Sequence, residues 1–105
     1  MNNKQKNLEK ELKKIENILK EVKPFLKKKY KVKDLGIFGS FVRGEQKKNS
    51  DLDILVEFHE VIGLFKFLEL EEYLEELLNI KIDLVSKKAL KPRIGKYILR
   101  EVIMI

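Results

Sequence analysis

Apolar residues recur at steps of three and four from Leu8 through Leu12, Ile15, Leu19 and Val22 to Leu26. That period places them on one stripe of an amphipathic helix running from about Asn3 to Lys29, with Ile18 and Phe25 widening the stripe. Pro24 falls inside the pattern and either kinks the helix or opens a second one at its first turn. The stripe is expected to pack on a sheet. Tyr30 to Asp34 reads as a polar connector. Leu35 to Phe38 predicts a short buried strand, Gly39 to Gly44 a turn and brief helix, and Glu45 to Ser50 a polar loop. Asp51 to Phe58 alternates as a second strand. After Gly63, the pattern predicts a long helix over Leu64–Leu78, with Leu64, Phe67, Leu68, Leu74, Leu77 and Leu78 on its apolar side. Glu69, Glu71, Glu72, Glu75 and Glu76 form its outer face, expected in solvent. Phe65 and Tyr73 fall at the edge, where a partner could cover them. Asn79 stops this helix, and Ile80–Val85 predicts a third strand by strict alternation. Lys87–Leu99 reads as a loop and short helix with Pro92 near its start, and Glu101–Ile105 as a last short strand. The fold class expected is α/β, a small mixed β-sheet flanked by helices and preceded by a long N-terminal helix.

The 105 residues suffice for one domain, 1–105, with a modest core: a basic helical segment over 1–33 and a core over 35–105. The first few residues are expected to lie outside its ordered part. Cysteine is absent, which excludes disulfides, thiolate metal sites and a thiol nucleophile. No apolar run reaches membrane-spanning length and the N-terminus lacks a signal-peptide core, so the protein reads as cytoplasmic. The net charge of +6 is uneven: residues 1–33 hold twelve lysines against four glutamates, which leaves the remainder net acidic. The basic helix therefore reads as a solvated face ahead of a nucleic-acid stripe, with a partner of acidic surface as the third reading.

The candidate chemistry sits in two stretches, Gly36-Ile-Phe-Gly-Ser-Phe-Val-Arg-Gly44 and Ser50-Asp-Leu-Asp-Ile-Leu-Val-Glu-Phe58. Gly39 permits a sharp turn and a close backbone approach. Ser40 offers a hydroxyl and an N–H for a phosphate near a helix start. Arg43, one helical turn on, can return its guanidinium to the same place for bidentate phosphate binding. Period-2 alternation turns Asp51 and Asp53 to one face, where two like charges repel unless a cation lies between them. Asp83 falls mid-strand among aliphatic neighbours, an expensive place for an unpaired carboxylate. His59, the only histidine, is not placed among these acids and reads as a surface residue. Lys47 and Lys48 read as loop charges, either of which could also reach a triphosphate.

Gly39-Ser40, ten residues, then Asp51-Leu52-Asp53 resembles the G-S-x10-D-x-D signature of the DNA polymerase beta-like nucleotidyltransferase superfamily. The fuller wording resembles its minimal nucleotidyltransferase (MNT) members, the antitoxins of HEPN–MNT toxin–antitoxin pairs. The similarity runs from about Leu35 to Ile105. It implies a minimal nucleotidyltransferase fold and a metal-dependent transfer of AMP from ATP to a tyrosine of a cognate HEPN ribonuclease toxin. Asp51, Asp53 and Asp83 would be catalytic and hold two Mg2+ ions, for which Mn2+ can substitute. Gly39, Ser40 and Arg43 would bind the phosphates. The implied partners are ATP and the toxin, in a hetero-oligomer, with no membrane and no nucleic acid. Two alternatives stand beside this: a non-catalytic antitoxin acting by steric masking, and a nucleotidyltransferase acting on a small molecule or RNA end. The stretch Lys91–Tyr97 also resembles MNT proteins, with no chemical reason visible in its residues.

Overall fold

A computed structural model describes residues 3–105. The expectation for the first few residues falls partly on positions 1 and 2, outside those described; from Asn3 onward the chain is helical. Helix α1 spans Asn3–Tyr30. At about 1.5 Å rise per residue it runs nearly the full 44 Å of the molecule's longest axis. Pro24 lies inside it, and no second helix begins there. Ile15, Leu19 and Leu26 are buried, and Leu12 and Val22 pack beside them. Phe25 is the exception to the predicted stripe. It sits at the edge, half exposed, with its ring 6.3 Å from Tyr30 and 5.3 Å from Tyr73.

The expected connector over Tyr30–Asp34 is replaced by structure. Tyr30 closes α1 fully buried, Lys31 turns the chain at φ 60, and β1 already begins at Val32 and runs to Phe38. Val32 is buried, whereas Lys33 and Asp34 reach toward solvent where the register with β2 shifts, so charged letters concealed a strand with one wet face. Then follow α2 (Ser40–Arg43), β2 (Leu52–Phe58), α3 (Leu64–Leu78), β3 (Ile82–Ser86), a short 3-10 turn over Lys87–Ala89, α4 (Pro92–Glu101) and β4 (Ile103–Met104). The sheet order is β3-β2-β1-β4, with β2 and β3 parallel and the other two pairings antiparallel.

Leu35, Ile37, Leu52, Ile54, Val56, Ile82 and Leu84 turn one sheet face into the core against α1 and α3. Alternation sends Asp53 and Asp83 to the other face. On α3 the buried residues are Leu70 and Leu74, with Phe67, Tyr73, Leu77 and Leu78 packed beside them. Leu64 and Leu68, expected inside, are exposed together with Phe65, because the core-facing stripe runs 67–70–74–77 and leaves them a quarter-turn or more away. Nor is the acidic face all solvent: Glu71 Oε2 accepts the Leu84 N–H at 3.2 Å, covering part of the exposed edge of β3. No helix among the described residues is long and apolar enough to cross a membrane.

Candidate active site

Strand β1 ends at Phe38, and Gly39 makes the turn into α2 at φ 80, ψ −154, a conformation open to glycine. Phe38 pairs across to Asp53, so the turn lies beside the first residues of β2. The approach is close enough that a Cβ on Gly39 would overlap the Asp53 carboxylate. Val42 N–H and Arg43 N–H both bond to Gly39 O, which leaves the N–H groups of Ser40 and Phe41 ahead of the first helical bonds, the usual orphan donors of a helix start.

Two local bonds deliver the aspartates. The Ser50 hydroxyl accepts the Lys47 N–H at 2.8 Å, folding the loop before Asp51, and Leu52 N–H bonds to Lys81 O at 2.8 Å, locking β2 to β3. In that parallel register Asp53 stands opposite Asp83. Burial first, then the Asp83 charge and a hydrogen bond from protonated Asp53 to Asp83, then Asp51, push the Asp53 carboxyl from 3.8 up to about 6, while Arg43 draws it down. The six residues singled out by the sequence therefore fall at one end of the sheet, on the ends of β1, β2 and β3 and on α2. His59 lies past the opposite end of β2 and is exposed. Lys47 and Lys48 line a cavity of about 970 Å³ beside Asp51, together with Lys4, Gln46, Ser50 and Lys81.

Among the described residues, no three acids, histidines or cysteines are gathered tightly enough to enclose a metal ion unaided. The donor set nevertheless suits a hard cation. Mg2+ is ordinarily held by one or two carboxylates, with water and substrate phosphates completing its shell. Asp53 and Asp83, close enough to share a proton, provide paired oxygens of that kind, and their repulsion is the charge deficit a divalent ion would fill.

The residue that sequence reasoning missed is Glu101, at the end of α4. Its Oε2 accepts the Gly39 N–H at 2.8 Å, and its two oxygens accept Arg43 Nη1 at 2.9 and 3.1 Å. Arg43 Nε also reaches Glu45 Oε2 at 3.3 Å. Glu101 had been expected at the head of the last strand. The available signal was a lone carboxylate opening an otherwise apolar segment, Glu101-Val-Ile-Met-Ile105, which calls for a cationic partner.

The chain resembles known proteins over most of its length. A family model described as the nucleotidyltransferase domain matches residues 19–105. The protein adenylyltransferase MntA of Thermococcus cleftensis is 52% identical over 94 residues, covering 90% of this chain and 95% of its own. A solved structure described as a minimal nucleotidyltransferase superposes with a TM-score of 0.71 at 36% identity, covering 91% of this chain and 93% of the other. A crystal structure of a toxin–antitoxin with AMP-PNP matches with a TM-score of 0.66 at 25% identity, over 89% of this chain and 70% of that one.

Proposed function

The chain belongs to the nucleotidyltransferase domain family, and from that premise we propose that it is a cytoplasmic antitoxin that transfers AMP from ATP to a tyrosine of a cognate HEPN ribonuclease toxin. The observation that carries the reading is the convergence of Asp51, Asp53 and Asp83 beside the Gly39–Ser40 turn. A likeness to an adenylyltransferase over most of both chains, and to a toxin–antitoxin with a bound ATP analogue, supports it.

In this reading, Asp51, Asp53 and Asp83 hold the divalent cations, Mg2+ or Mn2+. When bound, these neutralise phosphate charge and make the acceptor hydroxyl a better nucleophile. The Ser40 hydroxyl and the free amides at the start of α2 orient the β- and γ-phosphates, and Arg43 adds its guanidinium. The tyrosine oxygen bonds to the α-phosphorus, the bond from that phosphorus to the bridging oxygen breaks, and pyrophosphate departs with the electron pair. The tyrosine proton passes to Asp83 in this reading. The work done by the chain is positioning and charge stabilisation. A phosphodiester-linked AMP beside a ribonuclease site would repel RNA, which accounts for neutralisation.

The decisive experiment mixes a substoichiometric amount of this protein with a candidate cognate HEPN toxin, with ATP and Mg2+, and follows intact toxin mass. The expected outcome is progressive addition of AMP and loss of ribonuclease activity beyond one toxin per antitoxin. Inhibition only at matching stoichiometry, independent of ATP, would establish steric masking instead.

A further inference from the structure

Glu101 lies far in sequence from the phosphate turn, yet its carboxylate serves both ends of it. It accepts the N–H of Gly39, where the turn opens, and the guanidinium of Arg43, where α2 ends. Gly39 in turn lies against Asp53, and Arg43 is near enough to favour the ionised form of Asp53. We propose that Glu101 is a positioning residue for nucleotide transfer, fixing the Gly39 turn and the Arg43 side chain in the arrangement that receives the triphosphate. The inference rests on the transfer site proposed above.

Three physical considerations support it. Gly39 can adopt many backbone conformations, and a carboxylate bound to its N–H holds it in the one the turn uses. An arginine side chain loses much rotamer freedom when it grips an anion, and a side chain already pinned loses less. Glu45 and Glu101 engage Nε and Nη1, so the donors on Nη2 remain to meet a phosphate. The arrangement also gives α4 a purpose. Pro92 starts that helix, Gly95 N–H bonds back to Lys91 O in its first turn, and Glu101 is its last residue. The Lys91–Tyr97 stretch, without evident chemistry of its own, is the mount for this carboxylate.

The test compares the full chain with Glu101→Ala, Glu101→Gln, Arg43→Ala and the Glu101→Ala/Arg43→Ala double variant. Two readouts need no acceptor: the Gly39 amide resonance in 15N-labelled protein, and the Kd for ATP with Mg2+ by calorimetry. Glu101→Ala should shift the Gly39 proton upfield and weaken ATP binding about tenfold or more, the scale of a lost charge-assisted hydrogen bond. Glu101→Gln, which keeps an acceptor oxygen for Gly39, should recover part of both. The double variant should bind ATP more weakly than Arg43→Ala alone, but by a smaller factor than Glu101→Ala weakens the wild type, because only the Gly39 contact of Glu101 then remains to be lost. An unmoved Gly39 resonance, an unchanged Kd accompanied only by a lower Tm, or tighter ATP binding in Glu101→Ala would each overturn the proposal, the last by making Glu101 a competitor of phosphate. Failure of the wild type to modify any toxin would overturn the transfer reading and leave this comparison intact.

Discussion

Asp53 and Asp83 face each other across adjacent parallel strands, and their proximity, on top of burial, lifts the Asp53 carboxyl to about 6. A fold that keeps two acids this close, when an amide would fit either place, carries a standing electrostatic strain at neutral pH. Such strain is the expected mark of a site matched to a cation.

Removing the charge should therefore stabilise the metal-free protein. Asp53 ionises near 3.8 in the unfolded chain and near 6 in the folded one. Its contribution favours the fold fully below about 3.8 and is lost as the pH rises through about 6. Asp53→Asn should raise Tm at pH 7, by the equivalent of about 1 kcal/mol once partial solvent exposure is discounted. At pH 4 the advantage should vanish. Calorimetry in chelator at the two pH values checks this, and an equal gain at both would point to packing instead.

Ligand binding should reverse the order of stability. Mg2+ or Mn2+ with ATP, at about a hundred times Kd, should stabilise the wild type by about 2.7 kcal/mol through mass action. Asp53→Asn should show little response. Thermal shift with ATP alone, metal alone and both together measures it, and a full shift retained in Asp53→Asn would remove Asp53 from the site.

Two glycines of the turn should behave differently. Gly39→Ala meets both a positive φ and the Asp53 carboxylate, so about 1–3 kcal/mol of backbone strain adds to displacement of that acid. AMP transfer should be lost. Gly44→Ala has φ 71 but open space around it, and should cost about 1 kcal/mol with transfer preserved. Urea unfolding and transfer rates for the two variants separate the effects.

Helix α3 offers a check on which face is core. Leu70→Ala should destabilise by about 2–5 kcal/mol, as for a buried leucine in a packed cluster. Phe65→Ser, at a position 87% exposed, should stay within about 0.5 kcal/mol. Chemical denaturation of the isolated protein reads both.

The sequence was most transparent where periodicity and punctuation agree. Gly63 and Asn79 bracket α3 where the pattern places it, and the alternation around Asp53 and Asp83 puts both acids on the face away from the core. It was opaque where a contact joins distant segments. Nothing near Glu101 announces Gly39 or Arg43, because the pairing exists only once α4 has crossed beside the turn. Leu70 escaped notice for a smaller reason. In a helix so rich in leucine, several stripes are nearly equivalent, and only the position of α1 and the sheet selects one. At Val32–Asp34, the solvent-facing lysine and aspartate outweighed the single buried valine that marks the strand.

The sheet's mixed topology has a consequence for how the protein comes into being. β1 and β2 pair antiparallel across the short α2 connection, whereas β3 can join β2 in parallel only after the chain between Phe58 and Ile82 has looped over as α3. Long-range parallel pairing is slow compared with local hairpin closure. A refolding chain should thus possess its glycine turn and Asp53 while still lacking Asp83, and the repulsion between the two acids opposes that final docking. Collapse and helix formation would run ahead of competence, and the return of AMP transfer would time the arrival of β3.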